Sequence, residues 1–370
     1  MRICIISNFK KNGYGESARP YYLSLFLKKQ GHEVIHLCRH QGVEENIRYI
    51  KVDTNLWEPS LLKRLAGFIP LYIRLNLFAP DIIYGHQLNI VRWAVQTKVL
   101  PKSRLIMDAH TSMYFEHSMF GENDESELTT IKTIEAAAYR SVEYIICASE
   151  ETRQFLIKKF ELNPQKLFAV GNATGMVPVT MPEKKRFRKT DSHMFTCLAT
   201  LPQDGFASNE MALLYLLEIA AMPYPKDPRI RFIVVGGGEK PVPATPNITY
   251  TGYVQDLRRE ILSADICLMP FPDRAVCGGA RNKFCDYIAL GKLVITSPEG
   301  LRGMEILEDK KNCLVARDQN DFVETILHLS RLAFNIEEIE EEVFKIKDYY
   351  SWESRAKQVN DIFEMVLKSK

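Results

Sequence analysis

The densest chemistry in the chain lies in residues 278 to 291, Gly-Gly-Ala-Arg-Asn-Lys-Phe-Cys-Asp-Tyr-Ile-Ala-Leu-Gly. An apolar run from Asp265 to Phe271 precedes it and another from Leu293 to Ser297 follows. The pattern predicts a buried strand that passes through a glycine turn, Gly278, Gly279 and Ala280, into a short helix. Unpaired backbone N–H groups and the positive end of the helix dipole gather at such a turn, which suits an anionic group. Arg281 and Lys283 add two cations in the first turn, where helix electrostatics alone would favour carboxylates. A phosphate between those cations and the helix would account for them; the plain alternative is a glycine turn with two solvated cations. Asp286, about a turn beyond Lys283, is placed to take hydroxyls. Diphosphate on the turn and hydroxyls on the carboxylate together describe a sugar-nucleotide site.

Further candidates stand at predicted strand ends. Asn12-Gly-Tyr-Gly-Glu-Ser-Ala18 joins the first strand to a long helix, and Gly15 would let backbone approach a diphosphate or a sugar. Asp108-Ala-His110 closes the run from Arg104, so His110 lies at a sheet rim, where it could bond a hydroxyl or stabilise developing charge. Capping is its bland alternative. His86 ends the preceding strand in the same way, and His117 is less well placed. Phe232 to Gly238 ends in three glycines but lacks the G-x-G-x-x-G spacing, and Pro241 and Pro243 follow where a helix should begin. Thr251-Gly-Tyr-Val254 ends another strand, and backbone around Val254 could meet a base edge. The chain has no Asp-x-Asp pair and no P-loop, so no metal or cofactor is expected; Arg281, Lys283 and backbone amides would carry the diphosphate charge.

Strand-like runs at 2–7, 33–38, 81–85, 104–109, 144–148 and 167–170 alternate with helical patterns. A second set follows at 196–199, 231–235, 248–252, 266–270 and 293–296. Alternation of this kind predicts two α/β domains, each a doubly wound parallel sheet, facing a cleft. Length agrees, since 370 residues exceed one ordinary core. The expected organisation is a domain over 1–177, a linker over 178–193 broken by Pro178 and Pro182, a domain over 194–350, and a closing helix over 351–370. Formal net charge is only +2, which gives no argument for nucleic acid. The 8 cysteines form no CxxC pair and fall mostly in apolar runs, which reads as buried thiols. Met1 leads straight into a strand and no window could span a bilayer, so a cytoplasmic location is expected. Residues 57–80 carry Leu61, Leu65, Phe68 and Tyr72 beside Lys63, Arg64 and Arg74. That stretch suits a core-facing helix with a basic outer face, or peripheral contact with an anionic membrane surface.

With these pieces in order, the chain resembles the group-one, retaining glycosyltransferases of the GT-B fold, over nearly its whole length. Gly15 stands seventeen residues before His32 of Gly31-His-Glu-Val34, similar to that family's glycine loop and "GHEV" strand. Pro80-Asp-Ile-Ile83, the segment from Glu135 to Ser149, Asn172, and Ser351-Trp352-Glu353 look like its later landmarks in the same order. The resemblance implies two Rossmann-like domains, with a C-terminal helix crossing back to the first. It also implies metal-independent transfer of a sugar from a nucleotide-sugar donor to a glycan or lipid-linked acceptor. On that basis the Gly278–Lys283 turn would bind the diphosphate, Asp286 the ribose, Val254 the base and His110 the transferred sugar. Two departures stand out: Gly278 occupies the place of the family's first glutamate, and residues 201–209 lack the usual arginine and lysine. They motivate two rivals, a non-catalytic nucleotide-sugar binder partnering an active transferase and a sugar-nucleotide epimerase.

Overall fold

The computed structural model describes residues 1–7, 18–38, 47–51, 73, 75–86, 103–120, 124–181, 183, 194–202, 207–222, 227–236, 246–276, 281–331 and 336–369. The chain divides into two compact units. The first is Met1–Asn172 with Trp352–Lys370, and the second is Ala173–Ser351. The segment 173–181 thus goes with the second unit, where Val179 is buried in the core. Gly15 and Gly278, Gly279 and Ala280 lie outside the described residues, as do most of 57–80.

The first unit holds a seven-stranded sheet. Its strands are β1 (Arg2–Ser7), β2 (Glu33–Cys38), β3 (Arg48–Lys51), β4 (Ile82–His86), β5 (Arg104–Ala109), β6 (Tyr144–Cys147) and β7 (Leu167–Ala169). Their order is β3-β2-β1-β4-β5-β6-β7, parallel throughout, with Ile3 opposite both Val34 and Ile82. Order reverses between β1 and β4, which makes their carboxyl ends the topological switch point. Helices described in this unit include α1 (Ala18–Lys29), α2 (Met113–Phe120), α3 (Glu125–Ser141) and α4 (Glu150–Phe160). These strands read as apolar runs because helices cover both faces: every residue of β4 is buried. Gly31, at φ +89°, ends α1, and the backbone N–H groups of Gly31 and His32 close back on the carbonyls of Lys28 and Leu27. An L side chain would strain that left-handed turn, hence the glycine.

The second unit holds six parallel strands in the order β10-β9-β8-β11-β12-β13. They are β8 (Phe195–Thr200), β9 (Ile230–Val235), β10 (Ile248–Gly252), β11 (Ile266–Met269), β12 (Val294–Thr296) and β13 (Leu314–Val315). Its helices are α5 (Ala207–Ala221), α6 (Leu257–Ser263), α7 (Asn282–Ala289), the short α8 (Pro298–Leu301), α9 (Gln319–Ser330) and α10 (Ile336–Ile346). Here the switch point lies between β8 and β11. The final helix, α11 (Trp352–Lys368), returns to the first unit and packs on α1. Trp352 stacks on Tyr22 with ring centroids 5.8 Å apart, and Val359, Phe363 and Val366 are fully buried. Burying each such side chain stabilises by roughly 1.5–3 kcal/mol, enough to hold a C-terminal helix on a distant N-terminal sheet.

Eleven sequence-predicted strands are present, with ends shifted by one residue at most positions. Sequence pattern missed two: β3, whose Arg48 and Lys51 mask its apolar period at a sheet edge, and β13, which has only two residues. Short edge strands carry little periodicity, so tertiary pairing alone defines them.

Candidate functional site

At the switch point of the second unit, two helix N-termini converge. α5 follows β8 and α7 follows β11, neighbouring strands whose connections leave in opposite directions. Lys283, the second residue of α7, donates from Nζ to Asn209 Oδ1 on the first turn of α5 at 2.8 Å. Beneath them, the buried Tyr287 hydroxyl accepts from the backbone N–H of Thr200 at 2.7 Å and so ties α7 to the end of β8. Gly236, at the end of β9, lies against the turn that leaves β8: a Cβ there would come within 2.6 Å of Leu201 O and Pro202 Cα. Two dipole ends and one ammonium therefore meet near the end of β8, which Tyr287 and Gly236 hold in place, an arrangement that favours a polyanion.

The two expected cations have different surroundings. Lys283 is partly buried and reaches across to α5. Arg281 is the N-cap residue of α7, in extended conformation, and its side chain is buried. Its Nη2 donates to Ala275 O at 2.6 Å and lies 3.3 Å from Glu299 Oε1, and the guanidinium carbon sits 3.5 Å from the Phe271 ring centroid. Glu299, buried on α8, also binds Arg302 at 2.8 Å. The charge of Arg281 is thus balanced by a carboxylate distant in sequence, and the dipole argument that required a phosphate beside it does not apply. Sequence reasoning missed Glu299; a carboxylate in the first turn of a four-residue helix carries no signal of its own.

Asp286 accepts from the Thr174 hydroxyl through Oδ1. Burial raises its carboxyl to about 6, against the opposing pull of the Thr174 bond and nearby Lys283. Val254, expected at the base, turns its side chain to the core of this unit. Its neighbour Tyr253 is 79% exposed at the same strand end, just after Gly252 with φ +66°. Side chains alternate across an extended segment, and the sequence alone does not say which of the two faces out.

In the first unit the switch point carries a buried polar network. Arg19, the second residue of α1, donates from Nε to both carboxylate oxygens of Asp108 at 3.0 and 2.8 Å, and from Nη1 to Gly171 O at 3.0 Å. The Tyr84 hydroxyl also donates to Asp108 Oδ2. His110 Nε2 lies 3.2 Å from Asp108 Oδ1 and 3.3 Å from His86 Nδ1. Burial alone would raise the Asp108 carboxyl, but Arg19, the two histidines and Tyr84 together outweigh it and hold it at about 2. Burial pushes His86 well below the usual histidine range, so it is neutral. Of the three histidines considered, His110 is the partly exposed one at this rim and His86 the buried one behind it; His117 lies on α2 away from the network. A ring of four donors fixes the turn after His110. Glu135 on α3 accepts from Ser112 Oγ, the backbone N–H groups of Met113 and Tyr114, and the Tyr139 hydroxyl, all within 2.7–3.0 Å. It thereby caps the N-terminus of α2 with a full charge.

Ligating atoms of His86, Asp108 and His110 lie within 4.8 Å of one another, the spacing of a metal site. The donor chemistry argues otherwise. Both oxygens of Asp108 already bind the Arg19 guanidinium, whose charge would face any cation at short range. His32-Glu-Val-Ile-His36 also spells the zinc-protease pattern. That pattern needs a helix to bring its histidines together. Here it runs into β2, where His36 is buried between Ser7 Oγ (2.7 Å) and Ser24 Oγ (3.0 Å) and burial lowers it to about 3. The seven described cysteines are buried thiols. No helix among the described residues is long and apolar enough to cross a membrane.

The fold defines a class of two-unit α/β proteins, each unit a doubly wound parallel sheet, and comparison with known proteins specifies it. Residues 18–174 match the model described as Glycosyltransferase Family 4, and residues 204–331 that described as Glycosyl transferases group 1. With a match in each unit, the chain belongs with the group-one glycosyltransferases of GT-B fold. Among curated proteins it is 23% identical to a phosphatidylinositol N-acetylglucosaminyltransferase component of Arabidopsis thaliana, covering 100% of this chain and 83% of that one. Among solved structures it is similar in fold to sucrose-phosphate synthase from Thermosynechococcus elongatus (TM-score 0.73, 14% identity, 100% of both chains). HepE of Anabaena in complex with UDP-glucose is another neighbour (TM-score 0.71, 12% identity, 99% of this chain and 100% of that one).

Proposed function

We propose that the chain is a metal-independent, retaining glycosyltransferase that moves a hexosyl group from a nucleotide-sugar donor to a glycan or lipid-linked acceptor. The observation that carries this is the paired helix N-termini of α5 and α7, bridged by Lys283 and Asn209 at the switch point of the second unit. Departure of a nucleoside diphosphate develops negative charge, and preorganised N–H groups with one ammonium offset it without a metal. Lys283 is the diphosphate ligand in this reading. Arg281, buried on Phe271 and Glu299, fixes the start of α7 in this reading, and Gly278, Gly279 and Ala280 are the proposed phosphate-binding residues. Asp286, through Oδ2, takes a ribose hydroxyl, Gly15 leaves room for the sugar, and backbone at Val254 meets the base. His110 takes a hydroxyl of the transferred sugar. HepE is solved with UDP-glucose and the Arabidopsis relative is named a phosphatidylinositol N-acetylglucosaminyltransferase subunit, which supports a uridine donor and a lipid-linked acceptor.

Thermal stabilisation by UDP-, GDP-, ADP- and dTDP-sugars, with and without EDTA, tests the reading, because a ligand of the native state alone must raise the melting temperature. The expected result is a shift with one sugar nucleotide, unchanged by EDTA and absent in Lys283→Ala. Loss of the shift in EDTA would end the metal-independent assignment. Gly278, in place of the family's first glutamate, favours a second reading as a non-catalytic binder. Donor binding without transfer to any acceptor would select it, and an epimer formed from donor alone would select the epimerase.

A further inference from the structure

The second unit opens at Ala173 and closes at Ser351, and its two ends are bound to each other. Thr174 pairs with Ser351 in a parallel bridge, and its backbone N–H donates to Tyr350 O at 2.9 Å. Tyr350 is fully buried in the core of the unit, so the interior fixes the backbone of Thr174. From that clamp the Thr174 side chain, itself buried, reaches α7. Its hydroxyl has one proton and two lone pairs. The backbone N–H of Met176 donates to the oxygen at 2.9 Å, and the proton goes to Asp286 Oδ1. One oxygen of the carboxylate is thus taken by the protein, and among the described residues none bonds the other. Asp286 is partly buried, and it follows Lys283 by three residues on α7, which places the two on one face a turn apart.

We propose that Thr174 is a positioning residue that commits Oδ1 of Asp286, so that the carboxylate meets the donor's ribose with Oδ2 alone and reads a single hydroxyl of the 2′,3′ pair. For its ligand this rests on the sugar-nucleotide reading, while the hold of Thr174 on Asp286 stands apart from it. A carboxylate with both oxygens open can take a diol, one oxygen to each hydroxyl, and the loss of either hydroxyl then costs alike. With Oδ1 held and the carboxylate plane fixed by that bond, one hydroxyl donates to Oδ2 and the other contributes little. Hydrogen bonds to a charged acceptor are the strong ones, so the discrimination falls on one ribose position. The spacing agrees, because Lys283, a turn earlier, is the diphosphate ligand and ribose is the next group along a nucleotide. The Thr174 bond also helps to keep the acceptor charged. Burial raises the Asp286 carboxyl to about 6, against the Thr174 hydroxyl and the Lys283 ammonium, and the adjoining Tyr287 stays a neutral phenol.

Calorimetric titration of the full chain with UDP, GDP and ADP, and with the 2′-deoxy and 3′-deoxy forms of whichever binds, tests the ribose contact. In the wild type one deoxy form should bind roughly tenfold or more weakly than its parent, the loss expected for one hydrogen bond to a charged group, and the other nearly as well as the parent. Thr174→Val frees Oδ1 and should bring the two deoxy forms close to equal. Thr174→Ser keeps the hydroxyl and should restore the difference. A purely structural threonine would weaken all ligands together and leave their ratio alone. Equal losses for both deoxy forms in the wild type, or no loss for either, overturn the proposal, as does an unchanged ratio in Thr174→Val. Carbon-13 titration of the Asp286 carboxyl, assigned by the signal lost in Asp286→Asn, needs no ligand. Its midpoint should rise by about one pH unit from near 6 in Thr174→Val and return in Thr174→Ser; an unmoved midpoint also overturns the proposal. If none of the three diphosphates binds while the midpoint moves as expected, the sugar-nucleotide reading fails and takes the ribose contact with it, and only the hold of Thr174 on Asp286 stands.

Discussion

Exchanging the two cations of α7 for methionine, one at a time, should produce opposite phenotypes. Arg281→Met removes a guanidinium that binds Ala275 O at 2.6 Å, pairs with Glu299 at 3.3 Å and covers the Phe271 ring at 3.5 Å. Breaking a buried ion pair from one side costs roughly 3–5 kcal/mol, because the remaining charge stays buried. Glu299 keeps Arg302, whose side chain is 45% exposed, so the lower end applies: a loss of about 3 kcal/mol. Lys283→Met gives up one charge-assisted bond to Asn209 at a partly buried position, a loss of roughly 1 kcal/mol. Ligand binding should reverse the ranking. Removing an ammonium in contact with a diphosphate should weaken nucleoside-diphosphate binding by at least tenfold, about 1.4 kcal/mol or more. Urea denaturation followed by near-ultraviolet circular dichroism, and calorimetric titration with nucleoside diphosphates, measure the two effects on the same preparations. Arg281→Lys should not restore stability, since an ammonium lacks the planar fork that spans Ala275 O and Glu299 while stacking on Phe271. The reasoning is refuted if Arg281→Met unfolds at the wild-type midpoint, or if Lys283→Met binds the diphosphate as tightly as the wild type does.

Glu135→Ala orphans four donors at the start of α2 and should destabilise by roughly 3 kcal/mol or more, seen as a lowered urea midpoint; an unchanged midpoint would mean that water replaces the carboxylate. Asp286→Asn should change the pH dependence of stability. The folded carboxyl titrates at about 6, above its ordinary value, so the folded state holds the proton more tightly and this stabilisation is full below about pH 4. It is lost as pH rises through 6, so the variant should gain on the order of 1–2 kcal/mol over wild type at pH 7.5 and little at pH 4, with partial exposure trimming the figure. Equal stability differences at both pH values would remove the raised carboxyl. Gly236→Ala drives a methyl to within 2.6 Å of the backbone at Leu201 and Pro202, and backbone there cannot yield cheaply. Nucleoside-diphosphate affinity should drop along with melting temperature, and a variant with wild-type affinity would show that this turn does not shape the site.

Much of the architecture was legible in the residues themselves. Eleven runs of β-branched and apolar residues, punctuated by helical patterns, can bury themselves only as parallel strands covered on both faces, and that is how they fold. The helix that begins at Asn282 was legible too, because an apolar strand followed by small residues and an apolar helical period leaves few alternatives. Composition and periodicity have no means of recording partners far apart in sequence. Arg281 and Lys283 are two residues apart and look alike on paper; Glu299, eighteen positions after Arg281, pairs with it, and Asn209, over seventy positions earlier, binds Lys283. Just past the end of β10, Val254 packs on the core while Tyr253 is exposed, a choice that neither residue type records. Arg19, Tyr84 and Asp108 come from three elements with no shared motif, and only the folding of α1 over the β1–β4 switch point brings them to one carboxylate. Local sequence determined what each segment becomes, since periodicity and turn chemistry act over a few residues. Which charges pair, and which remain to meet a ligand, was decided by tertiary structure, because burial and electrostatics depend on neighbours that the chain supplies only once it is folded.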